Sequence, residues 1–326
     1  MTLYAPLIAA LVTLLLTSIL LHGKTGNKVQ DIPNERSLHN EPVPRIGGAG
    51  LMAGAMSAWL LIPMSLAWWV VLPLLALFAT SLLDDMRSLP VRLRLLLHAI
   101  AAIILVFGSG MAAQGAMPAI AVVLCVVWMT NLYNFMDGSD GLAGGMAFFG
   151  FTMYGVAAWM HGNVTLAMLN FSIGAAALGF LYYNFHPAKV FMGDAGSIPL
   201  GFLAAAMALW GWQQGQWPAW FPLLVFSPFV ADASVTLLKR MLCRKNILLS
   251  HRDHYYQRLI RIGWGHRNVA LLAYVLMFVA GASAIWGIRQ PIEWHWRLFL
   301  LWGAIYALLM LVLDWRWQAF QRRQYG

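Results

Sequence analysis

The sequence predicts an all-α, polytopic integral membrane protein with about eleven transmembrane helices. Three observations carry this. Hydrophobic residues make up 61% of the 326-residue chain and charged residues only 10%, against roughly 25% charged in soluble proteins. Mean hydropathy is +0.69. The apolar residues fall into runs close to the length of about 20 that a bilayer-crossing helix needs. No soluble core absorbs so much apolar surface, so a soluble enzyme and a disordered chain are both excluded.

The first run, 3–22, has no basic stretch before it, which marks a retained helix rather than a cleaved signal peptide. The second, 46–63, carries Gly50 and Gly54 at a spacing that lets helices approach closely. The third, 66–83, runs into Asp84-Asp85, and the fourth covers 93–110. The fifth, 117–136, ends in NLYNFMDGSDGL. The sixth, 142–160, follows Gly141, which repeats the small-residue spacing with Gly145. The seventh and eighth, 164–183 and 197–212, flank NFHPAKVFMGDAGS. The ninth, 218–238, holds Asp232 four residues after Pro228. The tenth and eleventh are 268–288 and 298–314, the last ending at Asp314.

An odd number of spans puts the termini on opposite sides. With the N-terminus periplasmic and the C-terminus cytoplasmic, only Arg289 and Arg297 of the 21 Lys and Arg face outward, as the positive-inside rule requires. The loops at about 23–45, 84–92, 137–141, 184–196 and 239–267 are then cytoplasmic, within a single domain over 1–326. In a soluble chain the net charge of +9 would suggest nucleic acid. Here it reads as a basic cytoplasmic rim, and no nucleic-acid partner is expected. Cys125 lies in an apolar run and Cys243 in a basic loop, so no disulfide framework is expected.

The acids gather on the same side. Asp31, Glu35, Glu41, Asp84, Asp85, Asp137, Asp140, Asp194 and Asp253 are cytoplasmic, and most sit at helix mouths. A carboxylate at membrane depth is costly and is a functional candidate by default. Asp84 and Asp85 point about 100° apart on a helix and should have different partners; the plainer reading is a charged helix stop. Asn131, Asn134, Asp137 and Asp140 recur every three residues, a polar stripe if the helix persists. Gly138 and Gly141 favour its unwinding into a loop. A helix–helix seam is the competing reading, but buried polar groups need partners.

In NFHPAKVFMGDAGS, Gly193 and Gly196 bracket Asp194 and allow close backbone approach. The helix start that follows can face an anion. Phe191 suits stacking on a base, or the membrane interface. HRDHYYQRL places Arg252, His254 and Arg258 in the most basic loop, suited to a diphosphate or simply to a membrane surface. His251 and His254 lack the companion ligands a zinc site needs. Oxygen donors without a Cys/His set favour Mg²⁺ or Mn²⁺, held by one or two carboxylates plus substrate phosphates. The residues alone therefore point to metal-assisted phosphoryl transfer to an acceptor living in the bilayer.

The order DD, NxxNxxDGxDGL, FMGDAGS, HRDHYYQRL resembles the polyprenyl-phosphate N-acetylhexosamine-1-phosphate transferases, of the glycosyltransferase family 4 type. The resemblance covers nearly the whole chain, DIPNERSLHNEPVPRIGG included, and looks nearest to the bacterial enzymes that begin O-antigen synthesis. It implies transfer of a HexNAc-1-phosphate from a UDP-sugar to undecaprenyl phosphate, releasing UMP, at the cytoplasmic face of the bacterial inner membrane. A homodimer is implied by resemblance only. By motif, Asp194 resembles the principal Mg²⁺ ligand, with Asn134 as second. Asp84 resembles the acid that deprotonates or orients the lipid phosphate, and Asp85 helps hold the site. Asn131, Asp137 and Asp140 fall near the nucleotide-sugar, and Phe191 resembles the residue that stacks on uracil. Arg94 stands nine residues after Asp85, where the family usually has Lys. Arg252, His254 and Arg258 are the diphosphate and sugar candidates.

Muramoyl-pentapeptide transferases carry a run of histidines where this chain has HRDH. That disfavours a peptidoglycan role and leaves GlcNAc, FucNAc or QuiNAc as the sugar. Direct in-line attack by the lipid phosphate is expected over a phosphosugar-Asp intermediate, because a phosphate monoester dianion is already a nucleophile. A secondary transporter is the rival of a different class. It would place acids at the bilayer midplane in two related halves, and only Asp232 suggests that.

Overall fold

The computed structural model describes residues 2–23, 29–33, 38, 41–62, 67–246 and 251–325. Lys24, Lys28, Glu35 and Arg36, expected in the first cytoplasmic loop, lie outside them. The described chain is nearly all helical. In order it forms α1 (Ala5–His22), α2 (Gly47–Trp59), α3 (Trp68–Arg87), α4 (Val91–Gly108), α5 (Ala116–Phe135), α6 (Leu142–Met160) and α7 (Val164–Asn184). It continues with α8 (Asp194–Gln213), α9 (Trp220–Val225), α10 (Ser227–Leu242), α11 (Tyr255–Leu259), α12 (Gly265–Ile288) and α13 (Ile292–Tyr325). A π turn over Ile260–Trp264 joins α11 to α12. One small departure from an all-α chain is an antiparallel ladder between β1 (Gln30–Asp31) and β2 (Val43–Pro44). Arg45 pins it by donating to Asp31 at 2.6 Å.

Among the described residues, nine helical stretches are long and apolar enough to cross a membrane, as a polytopic membrane protein requires. The expected runs at 46–63 and 218–238 take another form. The former is α2, only 13 residues long. The latter breaks into α9 and α10 around Phe226. Pro228 has no N–H to donate back to the carbonyl of Leu224. The Ser227 hydroxyl donates to that carbonyl instead, at 2.7 Å, and also meets the Tyr306 hydroxyl at 2.7 Å.

The helices α6, α7 and α8 form the buried centre. Against them pack α1 and α2 on the α7 side, α3 and α5 on α8, and α12 on α6. The outer helices expose Leu7, Leu11 and Leu15 on α1, Ile100, Ile103 and Phe107 on α4, and Leu308 and Leu311 on α13. Such a rim suits lipid, since helices satisfy their own backbone polar groups. Close packing inside relies on small residues. A Cβ on Gly50 would meet Thr17 Oγ1 at 2.1 Å, and one on Gly54 would meet Thr13 Oγ1 at 2.0 Å. The expected close approach at this pair is therefore that of α1 to α2.

Candidate active site

The third helix ends in two carboxylates with separate partners. Asp84 Oδ1 accepts the Leu89 backbone N–H at 2.5 Å, and Oδ2 accepts from Arg94 at 3.0 Å. Asp85 instead accepts the backbone N–H groups of Asp194 and Ala195, at 3.0 and 2.9 Å. The positive end of α8 thus faces an anion, but that anion is a side chain of the same molecule. Gly193 makes this possible. Its φ is +71°, and a Cβ there would stand 2.8 Å from Asp85 Oδ2.

Asp194 completes the cluster. Its Oδ2 accepts from the same Arg94 nitrogen at 3.1 Å, and its Oδ1 from Asn134 Nδ2 at 3.0 Å. One guanidinium nitrogen therefore lies between Asp84 and Asp194, which are 110 positions apart in sequence. Arg45 looks onto the same cluster. Desolvation works against its charge, but Asp31, Asp85 and Asp194 outweigh it, so its pKa is raised.

The NLYNFMDGSDGL stripe is split. Helix α5 stops at Phe135, so Asp137 and Asp140 lie in the following turn. Asn134 joins the cluster, whereas Asn131 donates to the Val127 carbonyl one turn back, at 2.7 Å. The Asp137 carboxyl pKa is pushed well up, by desolvation first and then by the charges of Asp194 and Asp85. Asp140 is buried and engaged elsewhere. It meets His186 Nδ1 at 2.6 Å and accepts the Ala188 N–H at 3.2 Å. His266 lies 3.7 Å from its other oxygen and stacks on His186. Sequence reasoning missed both histidines; His186 sits in a quoted motif, but nothing marks His266.

Phe191 is half-buried and held by its backbone. Its N–H donates to Pro44 O at 2.8 Å, and its carbonyl accepts from Gly47 at 3.0 Å. This strand-like seam brings the end of the first loop to the mouth. It continues at Gly48, where a Cβ would meet Gly196 N at 2.3 Å.

The HRDHYYQRL residues divide. His254 is buried and stacks on Phe135 at the end of α5, with ring centroids 6.3 Å apart. Arg258 is committed to Asp314 of α13 at 2.9 Å, a pairing sequence reasoning missed. Asp314 also accepts from Tyr255 at 3.2 Å and pairs with Lys239. Asp253 pairs with Arg240. The Arg252 side chain is half-buried and makes no ion pair among the described residues. Desolvation, then the nearby His254 and Arg240, lower the His251 pKa to about 4, so its ring is neutral at pH 7.

The mouth therefore carries Asp84, Asp85, Asp137 and Asp194, answered by Arg94 and Arg45. These are hard oxygen donors in a negative setting, which fits a divalent cation of the Mg²⁺ kind. Among the described residues, no three His, Cys, Asp or Glu are grouped to hold a metal unaided. Asp194, Asn134 and Asp84 would need substrate phosphates to complete a coordination shell.

Residues 67–212, from just before α3 almost to the end of α8, match glycosyl transferase family 4. The chain thus carries a glycosyl transferase family 4 segment. Its family 4 segment holds Asp84, Asp85, Arg94, Asn134, Asp137, Asp140 and Asp194, while HRDHYYQRL falls outside it. A "Probable undecaprenyl-phosphate N-acetylglucosaminyl 1-phosphate transferase" of Bacillus subtilis is 28% identical over 86% of this chain and 83% of its own length. The decaprenyl-phosphate N-acetylglucosaminephosphotransferase of Mycolicibacterium smegmatis is also 28% identical, over 77% of this chain and 73% of its own. The phospho-N-acetylmuramoyl-pentapeptide-transferase of Levilactobacillus brevis is 30% identical, over 52% of this chain and 51% of its own.

Proposed function

We propose that this protein transfers a HexNAc-1-phosphate from a UDP-N-acetylhexosamine to undecaprenyl phosphate, releasing UMP. The observation that carries this reading is the single Arg94 nitrogen held between Asp84 and Asp194. An acid pair with a cation between its members is a place where phosphates and a metal ion can exchange partners. The names of the polyprenyl-phosphate relatives support the acceptor. The reading includes eleven spans, with α2 and the α9–α10 pair counted, an outward N-terminus and a site facing the cytoplasm of the inner membrane.

Asp194 and Asn134 would hold Mg²⁺, or Mn²⁺ in its place, whose charge would neutralise the diphosphate. Asp84 orients the lipid phosphate and takes up its proton. Arg94, swinging from the carboxylates to phosphate oxygen, keeps the two reacting phosphates from repelling each other. A lipid phosphate oxygen bonds to the sugar-linked phosphorus, and the bond from that phosphorus to the bridging oxygen breaks. UMP leaves with the bridging oxygen. Phe191 stacks on the uracil, and Arg252 and His254 face the diphosphate-sugar. Asn131 and Asp140 act one layer back, through α5 and the His186 loop.

The L. brevis relative brings a muramoyl-pentapeptide donor into question. HRDH in place of a histidine run favours a simple N-acetyl sugar of the GlcNAc, FucNAc or QuiNAc type, and a first step in O-antigen or related surface-glycan synthesis. The test uses purified protein, undecaprenyl phosphate, Mg²⁺ and a panel of UDP-N-acetyl sugars, the MurNAc-pentapeptide form included. UMP release with a simple sugar, abolished by chelation, is expected. No release with any donor overturns the reading, and release with the pentapeptide donor alone moves the chain to the other branch.

A further inference from the structure

Asp232 is an acid that the transfer chemistry leaves without a task. It is buried in α10, with 7% of its surface exposed. Its two oxygens accept the backbone N–H of Tyr255 at 2.9 Å and of Tyr256 at 3.0 Å, the first two residues of α11. Thr236 Oγ1 donates to it at 3.2 Å, and His254 Nδ1 lies 3.3 Å from the same oxygen. A buried carboxylate needs such partners to offset its desolvation.

From this anchor, contacts run toward the transfer site. The Tyr256 hydroxyl donates to the Phe135 carbonyl, the last residue of α5, at 3.2 Å. A Cβ on Gly138 would stand 2.3 Å from that hydroxyl, so the turn bearing Asp137 packs directly on α11. The His254 ring stacks on Phe135 and also on His251. By contrast, among the described residues no hydrogen bond links α11 to Asp84 or Arg94.

We infer that Asp232 is a positioning residue for the nucleotide-sugar. By holding the start of α11 it sets where His254, Arg252 and the Asp137 turn stand, without touching substrate itself. The inference rests on the proposed transfer reaction. Its effect falls on one substrate, because the lipid-phosphate end at Asp84 and Arg94 is built on other helices.

Asp232→Asn tests it. The amide keeps the size but turns a donor toward one of the two backbone N–H groups. The KM for the UDP-sugar is expected to rise about tenfold, the factor carried by one lost hydrogen bond to a charged group. The KM for undecaprenyl phosphate stays within about twofold. Asp232→Glu, with two acceptor oxygens restored, recovers part of the loss. Hydrogen exchange over residues 251–259 speeds up in the Asn variant. Should that variant fail to fold, Tyr256→Phe removes the hydroxyl that ties α11 to Phe135 and the Gly138 turn and raises the same KM about threefold. Unchanged KM values, an equal rise for both substrates, or unchanged exchange overturns the role of Asp232. Absence of UMP release by the wild-type chain overturns the reaction instead, while exchange still shows whether Asp232 holds α11.

Discussion

Asp85 and Asp232 perform the same task at two helix starts. Each reaches from a neighbouring helix and accepts two consecutive backbone N–H groups, of Asp194 and Ala195 in one case and of Tyr255 and Tyr256 in the other. The chain enters the two helices differently. At α8 the preceding residue is Gly193, with φ 71° and ψ 175°. That region is open almost only to glycine. At α11 it is His254, with φ −59° and ψ 147°, ordinary extended backbone. One junction gives up its side chain so that a carboxylate can come close. The other keeps a side chain and can use it. The helices differ too. Twenty residues of largely buried α8 hold themselves in place, whereas five residues of α11 depend on anchors. Asp232 supplies one anchor and Asp314 the other.

The strongest way to break the α8 half is Asp194→Asn. The change leaves the backbone N–H groups on Asp85 untouched but removes the charge shared by Arg94 and Asn134. Turnover is expected to fall by at least about a hundredfold, on the scale of losing one transition-state contact. Thermal unfolding in detergent should stay near wild type. Near-normal turnover would show that the charge of Asp194 is not needed for transfer.

Gly193→Ala attacks the junction itself. The left-handed extended backbone alone costs about 1–3 kcal/mol without glycine, and the new methyl group displaces Asp85. Turnover is expected to drop about tenfold to a hundredfold with a lower unfolding temperature. An alanine at position 254 would show no such strain, because that backbone is ordinary. If Gly193→Ala is as stable and active as wild type, the contrast between the junctions is void.

Asp314→Asn weakens the second anchor of α11. It loosens Arg258, Tyr255 and Lys239 together. Lys239 is 41% exposed, so solvent screens its pair. Arg258, at 14%, is largely shielded and carries most of the effect, read as a severalfold rise in KM for the UDP-sugar. A larger effect than that of Asp232→Asn would make Asp314 the principal anchor.

The residue pattern explains why some of this was legible in advance. The 100° step between adjacent helical residues separates Asp84 from Asp85, and their partners differ accordingly. The three-residue spacing of Asn131, Asn134, Asp137 and Asp140 suggested one stripe, but only Asn134 reaches Asp194 on the helix. The helix ends one residue later, and Asp140 turns to His186 and His266. Those histidines come from distant parts of the chain, and no local periodicity links them. The ninth span was expected as one run over 218–238, and its break into α9 and α10, with the Ser227 hydroxyl on the Leu224 carbonyl, is visible only in three dimensions. The role of Asp232 was hidden for the same reason, since its partners are backbone groups that carry no residue signature.

The smallest expected change is Arg94→Lys, and it isolates what the α8 end requires of its cation. The guanidinium meets Asp84 and Asp194 through one nitrogen, at 3.0 and 3.1 Å. The planar fork that distinguishes arginine from lysine is not used. A lysine ammonium, one point charge with three donors, can occupy the same place between the two carboxylates. Turnover is expected to stay within about threefold of wild type, and unfolding within about 1 kcal/mol. Arg94→Gln, which keeps a donor but not the charge, should lose far more. A lysine variant as impaired as the glutamine variant would mean that the arginine fork is engaged during transfer, with the lipid phosphate taking its second nitrogen.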